Sequence, residues 1–355
     1  MVEGINVEVH RDYKYTIDVS KGILDKLERY RNLFFRYEKV VIITDENVAP
    51  LYLKKVERQI EKFGCKTQEI IIPPGESSKS LSMAEEIYHH FSEYNLTRSD
   101  AVIALGGGVV GDLAGFCAST YLRGVDFIQI PTTLLAQVDS SIGGKVGVNL
   151  TKGKNLVGSF YQPKSVIVDP RSLKTLKDRI FNDGMAEVIK YGCIYDKTLF
   201  NKLYQSTAEE LTKDLENTIA TCCSIKKEVI EEDERETGLR KILNFGHTLG
   251  HVLETYFNYQ KYTHGEAVAI GMYHITVKSE KKGITKYGTS DKIKEILIKN
   301  GLPYTMPYLE QEKIEEILFR DKKFSGDKIT LVLLKEIGES VLYSMDKNQL
   351  VEFII

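Results

Sequence analysis

Through the first half of the chain, short runs of β-branched residues alternate with amphipathic helices, and no other feature limits the fold so tightly. KVVIITDENVAP reads as a strand with its C-terminal loop, followed by the helix LYLKKVERQIEKFG, which a glycine ends. TQEIIIPPGESSKS is a strand closed by a Pro-Pro-Gly turn, and the helix LSMAEEIYHHFSEYN comes next. DAVIALGGG then reads as a buried strand, VVGDLAGFCAST as a helix, and DFIQIPTT and KSVIVDP as further strands. Strands parted by helices in this rhythm pair in parallel, because a crossover holding a helix returns the chain in the same direction. The expected class is α/β, with a doubly wound, mainly parallel sheet. Ligands of such sheets bind beyond the carboxyl ends of the strands, where the loops of Asp45, Gly106–Gly108 and Thr132–Thr133 fall.

From about Phe181 long helical segments take over: GMAEVIKYGCIYD, TKDLENTIATCCSIKKEVIEEDERE, the histidine region, AVAIGMYHITVKSEKKG and SDKIKEILIKNG. Near the end KITLVLLKEIGESVLYSMD looks like two strands about a turn. We therefore expect a nucleotide-binding α/β domain over residues 1–178, packed on a mainly helical metal- and substrate-binding domain over residues 179–355, with a cleft between them.

AVIALGGGVVGD spaces Gly106, Gly108 and Gly111 as G-x-G-x-x-G between a strand and a helix. Without Cβ atoms there, backbone N–H groups can approach a pyrophosphate at the helix's positive end, although a tight turn explains the same glycines. The usual search about twenty residues onward for a ribose-binding acid lands on Asp126. This unit is not the first of its sheet, however, and Asp45, with Asn47 beside it, is better placed. SSIGGKVGVNLTKGKNLVGSF sets Lys145, Lys152 and Lys154 among five glycines, which suits an anion held near the backbone as well as a solvated basic loop. Glu187 and Lys190 stand three apart on one helical face, by themselves an ordinary surface ion pair. Three of the seven histidines follow in LNFGHTLGHVLETYFNYQKYTHGEAVAIG: His247 and His251 share a helical face, and His264 lies beyond a tyrosine-rich break. A glutamate and two histidines make the ligand set of a catalytic zinc site with an open coordination position. H-T-L-G-H lacks the glutamate of H-E-x-x-H, which argues against a peptidase. Which histidines hold the ion stays open on the residues alone.

GGGVVGDLAGF, QIPTTLLAQVDSSIGGKVGVN, GKNLVGSF, GMAEVIKYG, LNFGHTLGHVLE and HGEAVAIGM run in order along nearly the whole chain. Together they resemble the 3-dehydroquinate synthase family of the sugar phosphate cyclases. The resemblance implies a fold shared more distantly with glycerol dehydrogenase and iron-dependent alcohol dehydrogenases. It implies a phosphate-eliminating lyase that turns 3-deoxy-D-arabino-heptulosonate 7-phosphate into 3-dehydroquinate, the second step of the shikimate route to chorismate and the aromatic amino acids. The implied sequence is transient oxidation at C5 by NAD, phosphate elimination, reduction, ring opening and intramolecular aldol closure.

Residue by residue, the family pattern puts the metal, Zn2+ or Co2+, on Glu187, His247 and His264. Lys145, Asn155, Asn244 and His251 are implied to face the substrate phosphate. Asp139 and Lys190 are implied to hold hydroxyls near the metal, with Arg240 and Lys226 at the carboxylate end. One of Lys322 and Lys323, in RDKKFSG, fits the substrate site too. Arg123, in YLRG, resembles an arginine inserted from a neighbouring subunit, which implies a homodimer. For NAD the matching positions are Asp45, Asn47, Gly75, Glu76, Lys79, Gly107, Gly108, Val109, Gly111, Asp112, Thr132, Thr133, Lys145, Lys154 and Thr175.

Two rivals share much of this pattern. An inosose- or valiolone-type cyclase acts on substrates without a carboxylate, so Arg240, Lys226 and the Lys322–Lys323 pair argue against it. A metal-dependent polyol dehydrogenase needs no such field of cations. The expected partner is a small anionic sugar phosphate bearing a carboxylate, neither nucleic acid nor membrane. A net charge of −2 disfavours a nucleic-acid surface, and no apolar run approaches the ~20 residues of a membrane span. MVEGINVEVHRDYKY lacks the apolar core of a signal peptide. Cys65, Cys117, Cys193, Cys222 and Cys223 form no C-x-x-C pair and read as buried free thiols, as in a reducing cytoplasm. Ending at Ile355 with no further domain, the chain is expected to act as a stand-alone cytoplasmic enzyme.

Overall fold

The computed structural model describes residues 13–320 and 328–354. Its first strands are β1 (Thr16–Val19), β2 (Lys39–Asp45), β3 (Lys66–Ile72), β4 (Ala101–Gly106), β5 (Asp126–Pro131), β6 (Lys145–Leu150), β7 (Gly153–Phe160) and β8 (Ser165–Val168). All but β6 and β7 form one sheet, in the order β1-β8-β5-β4-β2-β3, with every pair parallel. Helices α1 (Arg31–Phe34), α2 (Lys54–Glu61), α3 (Leu81–Glu93) and α4 (Gly108–Thr120) belong to this part. Both faces of the sheet are covered. Val40 and Ile42 of β2 pack with Val56 and Ile60 of α2, whereas Val41 and Ile43 pack with Ile87 of α3 and Leu113 of α4. That two-sided burial is why β2 reads as a continuous apolar run rather than an alternating one. Strand β1, short and only partly covered, is an element that the sequence pattern does not announce.

The lysine-rich segment expected as a loop is an antiparallel hairpin, β6 against β7. It packs on α4 through Val146 and Val148, and a Cβ at Gly115 of α4 would collide with Val146.

Beyond the sheet come α5 (Asp178–Ile194), α6 (Lys197–Gln205), α7 (Ala208–Lys213), α8 (Leu215–Glu232), α9 (His247–Tyr256), α10 (His264–Lys281), α11 (Thr289–Lys299), α12 (Gln311–Arg320) and α13 (Lys347–Ile354). KITLVLLKEIGESVLYSMD forms the expected pair of strands, β9 (Lys328–Glu336) and β10 (Glu339–Asp346), antiparallel. The single helix expected over residues 212–236 is shorter. It starts after Asp214 and stops at Glu232, because the Asp233 carboxylate takes the amides of Thr237, Gly238 and Arg240 and turns the chain. One apolar cluster joins Val166 of β8 and nearby Val138 to Ile189 of α5, Ile219 of α8 and Leu333 of β9. Each such buried aliphatic side chain contributes roughly 1.5–3 kcal/mol, so the two parts share a core rather than merely touch. All five cysteines are free and buried.

Candidate active site

Three helices bring a carboxylate and two imidazoles together: Glu187 from the middle of α5, His247 at the start of α9 and His264 at the start of α10. Glycines let the helices close. Gly246 takes the left-handed conformation (φ 79°) just before α9, and a Cβ on Gly271 of α10 would strike its carbonyl oxygen. A Cβ on Gly265 would strike the backbone oxygen of Asp183 in α5, whose side chain accepts from the Gly265 amide at 2.5 Å. Thr263 and Glu266 form a capping box at the start of α10, and Arg179 of α5 grips Glu266 with two bonds of 2.7 Å. His264 is thereby fixed against α5.

One ligand atom from each of Glu187, His247 and His264 lies within 4.8 Å of the others. Nε2 of both histidines stands 3.6 Å from Glu187 Oε1. The opposite ring nitrogens face oxygens: His247 Nδ1 lies 3.1 Å from the Phe245 carbonyl and His264 Nδ1 3.6 Å from Glu254 Oε2. With the protons turned to those oxygens, each Nε2 presents its lone pair to one point, the arrangement that metal-binding histidines adopt. Glu187 is wholly buried, yet neither of its oxygens makes a hydrogen bond of sound geometry. A divalent cation would satisfy that carboxylate and both imidazoles, and three protein ligands would leave a fourth position open. The residues fit a catalytic ion. Burial opposes charge on His264, but hydrogen bonding to Glu187 and Glu254 lifts its pKa to about 10. Burial, with Lys190 alongside, holds His247 well below the usual imidazole range.

Lys190 ion-pairs with Glu187 Oε2, and both are buried, so the pair expected on spacing to lie at the surface lies inside. Asp139 accepts from Tyr191 Oη at 2.7 Å and Lys226 Nζ at 2.8 Å. Burial pushes the Asp139 carboxyl up, but Lys226 and Lys190 outweigh it and hold it far below the usual range. Arg240 is 2 % exposed, donates to the carbonyls of Gly143 and Glu234, and leaves Nε without a partner. Lys145 and Asn244 both reach the Glu236 carboxylate. The His251 ring stands edge-on to His247, with centroids 5.8 Å apart. Arg123 is exposed in a left-handed run of Leu122, Arg123 and Gly124. Lys322 and Lys323 lie outside the described residues.

At the carboxyl edge of the sheet, α4 follows β4 with Gly107 as its N-cap and no side-chain cap, so the amides of its first turn, Val109 among them, are unclaimed by a side chain. A Cβ on Gly107 would come 3.0 Å from Thr133 Cγ2, and one on Gly111 2.8 Å from Gln129 Oε1. One on Gly108 would come 3.0 Å from Ser140 Oγ. Thr132 Oγ1 is buried without a partner, and Thr133 Oγ1 accepts from the Ala136 amide at 3.2 Å. Asp45 ends β2 and accepts from the Asn47 amide at 2.8 Å. Gly75 (φ 102°) leads into Glu76, which takes Asn149 Nδ2 at 2.8 Å. Buried Lys79 joins Asp112 to Asn155, and Thr175 Oγ1 meets Tyr52 Oη at 2.9 Å. Lys154 reaches across to Glu254 at 3.1 Å. Asp126 begins β5, at the opposite edge, where it accepts from Tyr37 Oη at 2.9 Å. An uncapped helix start, a glycine-lined mouth and an orphaned hydroxyl fit a dinucleotide.

Residues 69–183 match the family model described as 3-dehydroquinate synthase N-terminal, and residues 184–324 match 3-dehydroquinate synthase C-terminal. The chain is 50% identical over 341 residues to a 3-dehydroquinate synthase of Clostridium acetobutylicum, covering 96% of each. It is 51% identical over 335 residues to that of Clostridium botulinum, covering 94% of this chain and 96% of the other. The chain belongs to the 3-dehydroquinate synthase family. A solved 2-deoxy-scyllo-inosose synthase, complexed with carbaglucose-6-phosphate, NAD+ and Co2+, is similar at 28% identity and a TM-score of 0.85, covering 95% of each chain.

In this dehydroquinate synthase family member, two acids that the sequence reading passes over stand at the centre of the site. Glu254 backs His264, and its signal was available: it falls seven residues after His247 and three after His251, on the same helical face. Glu236 is the last residue of TKDLENTIATCCSIKKEVIEEDERE, a segment expected as one helix. Only the fold brings it to Lys145.

Proposed function

We propose that the chain converts 3-deoxy-D-arabino-heptulosonate 7-phosphate into 3-dehydroquinate and phosphate, with NAD at the carboxyl edge of the sheet and a divalent cation on Glu187, His247 and His264. The observation that carries the assignment is the Glu187–His247–His264 cluster facing an array of buried cations, in a chain half identical to 3-dehydroquinate synthases. The inosose synthase that it resembles in fold holds NAD+ and Co2+. When bound, NAD supplies a reversible hydride acceptor and the cation lowers the pKa of a substrate hydroxyl. Asp139 and Lys190 orient the hydroxyls beside that position. Lys145, Asn155, Asn244 and His251 hold the phosphate, and a protonated His251 suits its charge. Arg240 and Lys226 meet the carboxylate, for which the planar guanidinium of Arg240 is shaped. One of Lys322 and Lys323 adds to this field, and Arg123 serves the site of a partner in a homodimer.

We place the division between the NAD-binding and helical domains at residue 178. The enzyme belongs in the cytoplasm on this reading; the five free thiols suit a reducing compartment, and among the described residues no helix is long and apolar enough to cross a membrane. Incubating the protein with the heptulosonate phosphate, NAD and Zn2+ should release inorganic phosphate and dehydroquinate in equal amounts without net NADH. Absence of turnover ends the assignment, and accumulating NADH absorbance would make the chain a polyol dehydrogenase instead.

A further inference from the structure

We propose that Glu236 is an internal stand-in for the substrate's phosphate: its carboxylate sits in the anion seat between Lys145 and Asn244 and must leave before a phosphate enters. Its two oxygens are used separately, Oε2 in an ion pair with Lys145 and Oε1 as acceptor for Asn244 Nδ2. Two phosphate oxygens would use the same donors. The inference rests on the reading that Lys145 and Asn244 hold the phosphate, and extends it to how the seat is kept before substrate arrives.

Three features mark the contact as provisional. Glu236 has φ 61°, a left-handed conformation that a side chain disfavours. The turn that imposes it is anchored on both flanks: Asp233 takes the amides of Thr237, Gly238 and Arg240 at 2.7–3.1 Å, and Glu234 takes Gln162 Nε2 at 2.9 Å. The pair is also open to water, with 50% of the Lys145 side chain and 23% of the Glu236 side chain exposed, unlike the sealed Glu187–Lys190 pair. An exposed ion pair is weak enough to exchange.

Two consequences follow for the reaction. A seat that is free only part of the time lowers the apparent affinity of every anion in proportion to that fraction. A phosphate, near two negative charges, displaces a carboxylate more readily than a monoanion does. The returning carboxylate also competes with inorganic phosphate after elimination, which favours its release.

The test is calorimetric titration of inorganic phosphate into the enzyme loaded with NAD and Zn2+. Glu236→Gln, which keeps the shape and removes the charge, should bind phosphate about tenfold more tightly than the wild type. Should that variant not fold, Glu236→Ala gives the same reading. Equal or weaker binding in the folded variant overturns the proposal. Glu234→Gln, two residues away and directed at Gln162, should leave the affinity unchanged. If it tightens binding as much as Glu236→Gln, loss of general negative charge explains the gain and the stand-in is refuted. Lys145→Ala should lose phosphate. If Lys145→Ala binds phosphate like the wild type, the seat lies elsewhere and the underlying reading fails; if it loses phosphate while Glu236→Gln gains nothing, only the stand-in fails.

Discussion

Two carboxylates of the helical part reach the lysines of the β6–β7 hairpin, and their settings differ. Glu254 lies in α9 and is 4% exposed; one of its oxygens takes Lys154 and the other faces His264. Glu236 lies on the turn after α8, left-handed and partly in water, with Lys145 and Asn244 on its oxygens. A buried acid on a helix is over-determined by its surroundings, so it fixes what it touches, here the ring of His264. An acid on a strained, solvated turn, held by one exposed ion pair and one amide, can give way. The two sites carry similar pairs, but the backbone beneath them decides which positions a group and which keeps a place.

The largest effects should come from the ring that Glu254 supports. His264→Ala should lose the metal and the activity together while the sheet-bearing part stays folded; stoichiometric zinc after gel filtration would remove His264 from the ligand set. His251→Ala should keep its metal and slow phosphate release by about 10²–10⁴-fold, as expected for loss of a group acting on the reacting charge. Metal-free protein in that variant would reverse the roles of the two histidines. Smaller, but aimed at the comparison itself, is Glu254→Ala, which should weaken metal binding about 10–100-fold in a chelator competition. Glu254→Gln should recover part of that loss, since an amide oxygen still accepts from Nδ1; unchanged affinity in both variants would make Glu254 a bystander. Lys154→Ala should cost the metal less than about fivefold, because a partly exposed pair is worth little. A larger loss would mean that the hairpin, not the helix, holds Glu254.

The sheet was legible because its inner strands are buried on both faces, so KVVIITD and AVIALG stand out as apolar runs whatever their surroundings. Strand β1 was not, since four half-exposed residues carry too little pattern. The hairpin was hidden by its glycines, of which Gly147 and Gly158 let its two strands approach closely, and by its lysines, which reach two distant acids. In the site, motif resemblance named Glu187, His247 and His264, whereas helical spacing alone favours the pair His247 and His251. The difference is tertiary: His264 reaches the site because Gly265 and Asp183 bring α10 against α5. Glu254 could have been read from its spacing. Glu236 could not, because 91 residues separate it from Lys145.

The smallest expected effect separates the two acids by pH. Asp233 anchors the turn that carries Glu236. Desolvation opposes its ionisation, but hydrogen bonds from the amides of Gly238, Thr237 and Arg240 overcome this and hold its pKa near about 2. An unfolded aspartate titrates near 3.9. A folded value below the unfolded one means that the open turn binds protons first, so the anchor contributes fully above about pH 4 and is lost as pH falls toward 2. Amide protection at Thr237, Gly238 and Arg240, measured by hydrogen exchange, should therefore fall between about pH 4 and pH 2. Asp233→Asn should remove that dependence. No carboxylate caps the start of α9, so protection around Glu254 should stay level over the same range. Parallel loss in both segments would mean that the turn and the helix open as one unit, and the distinction between a yielding and a fixed acid would not hold.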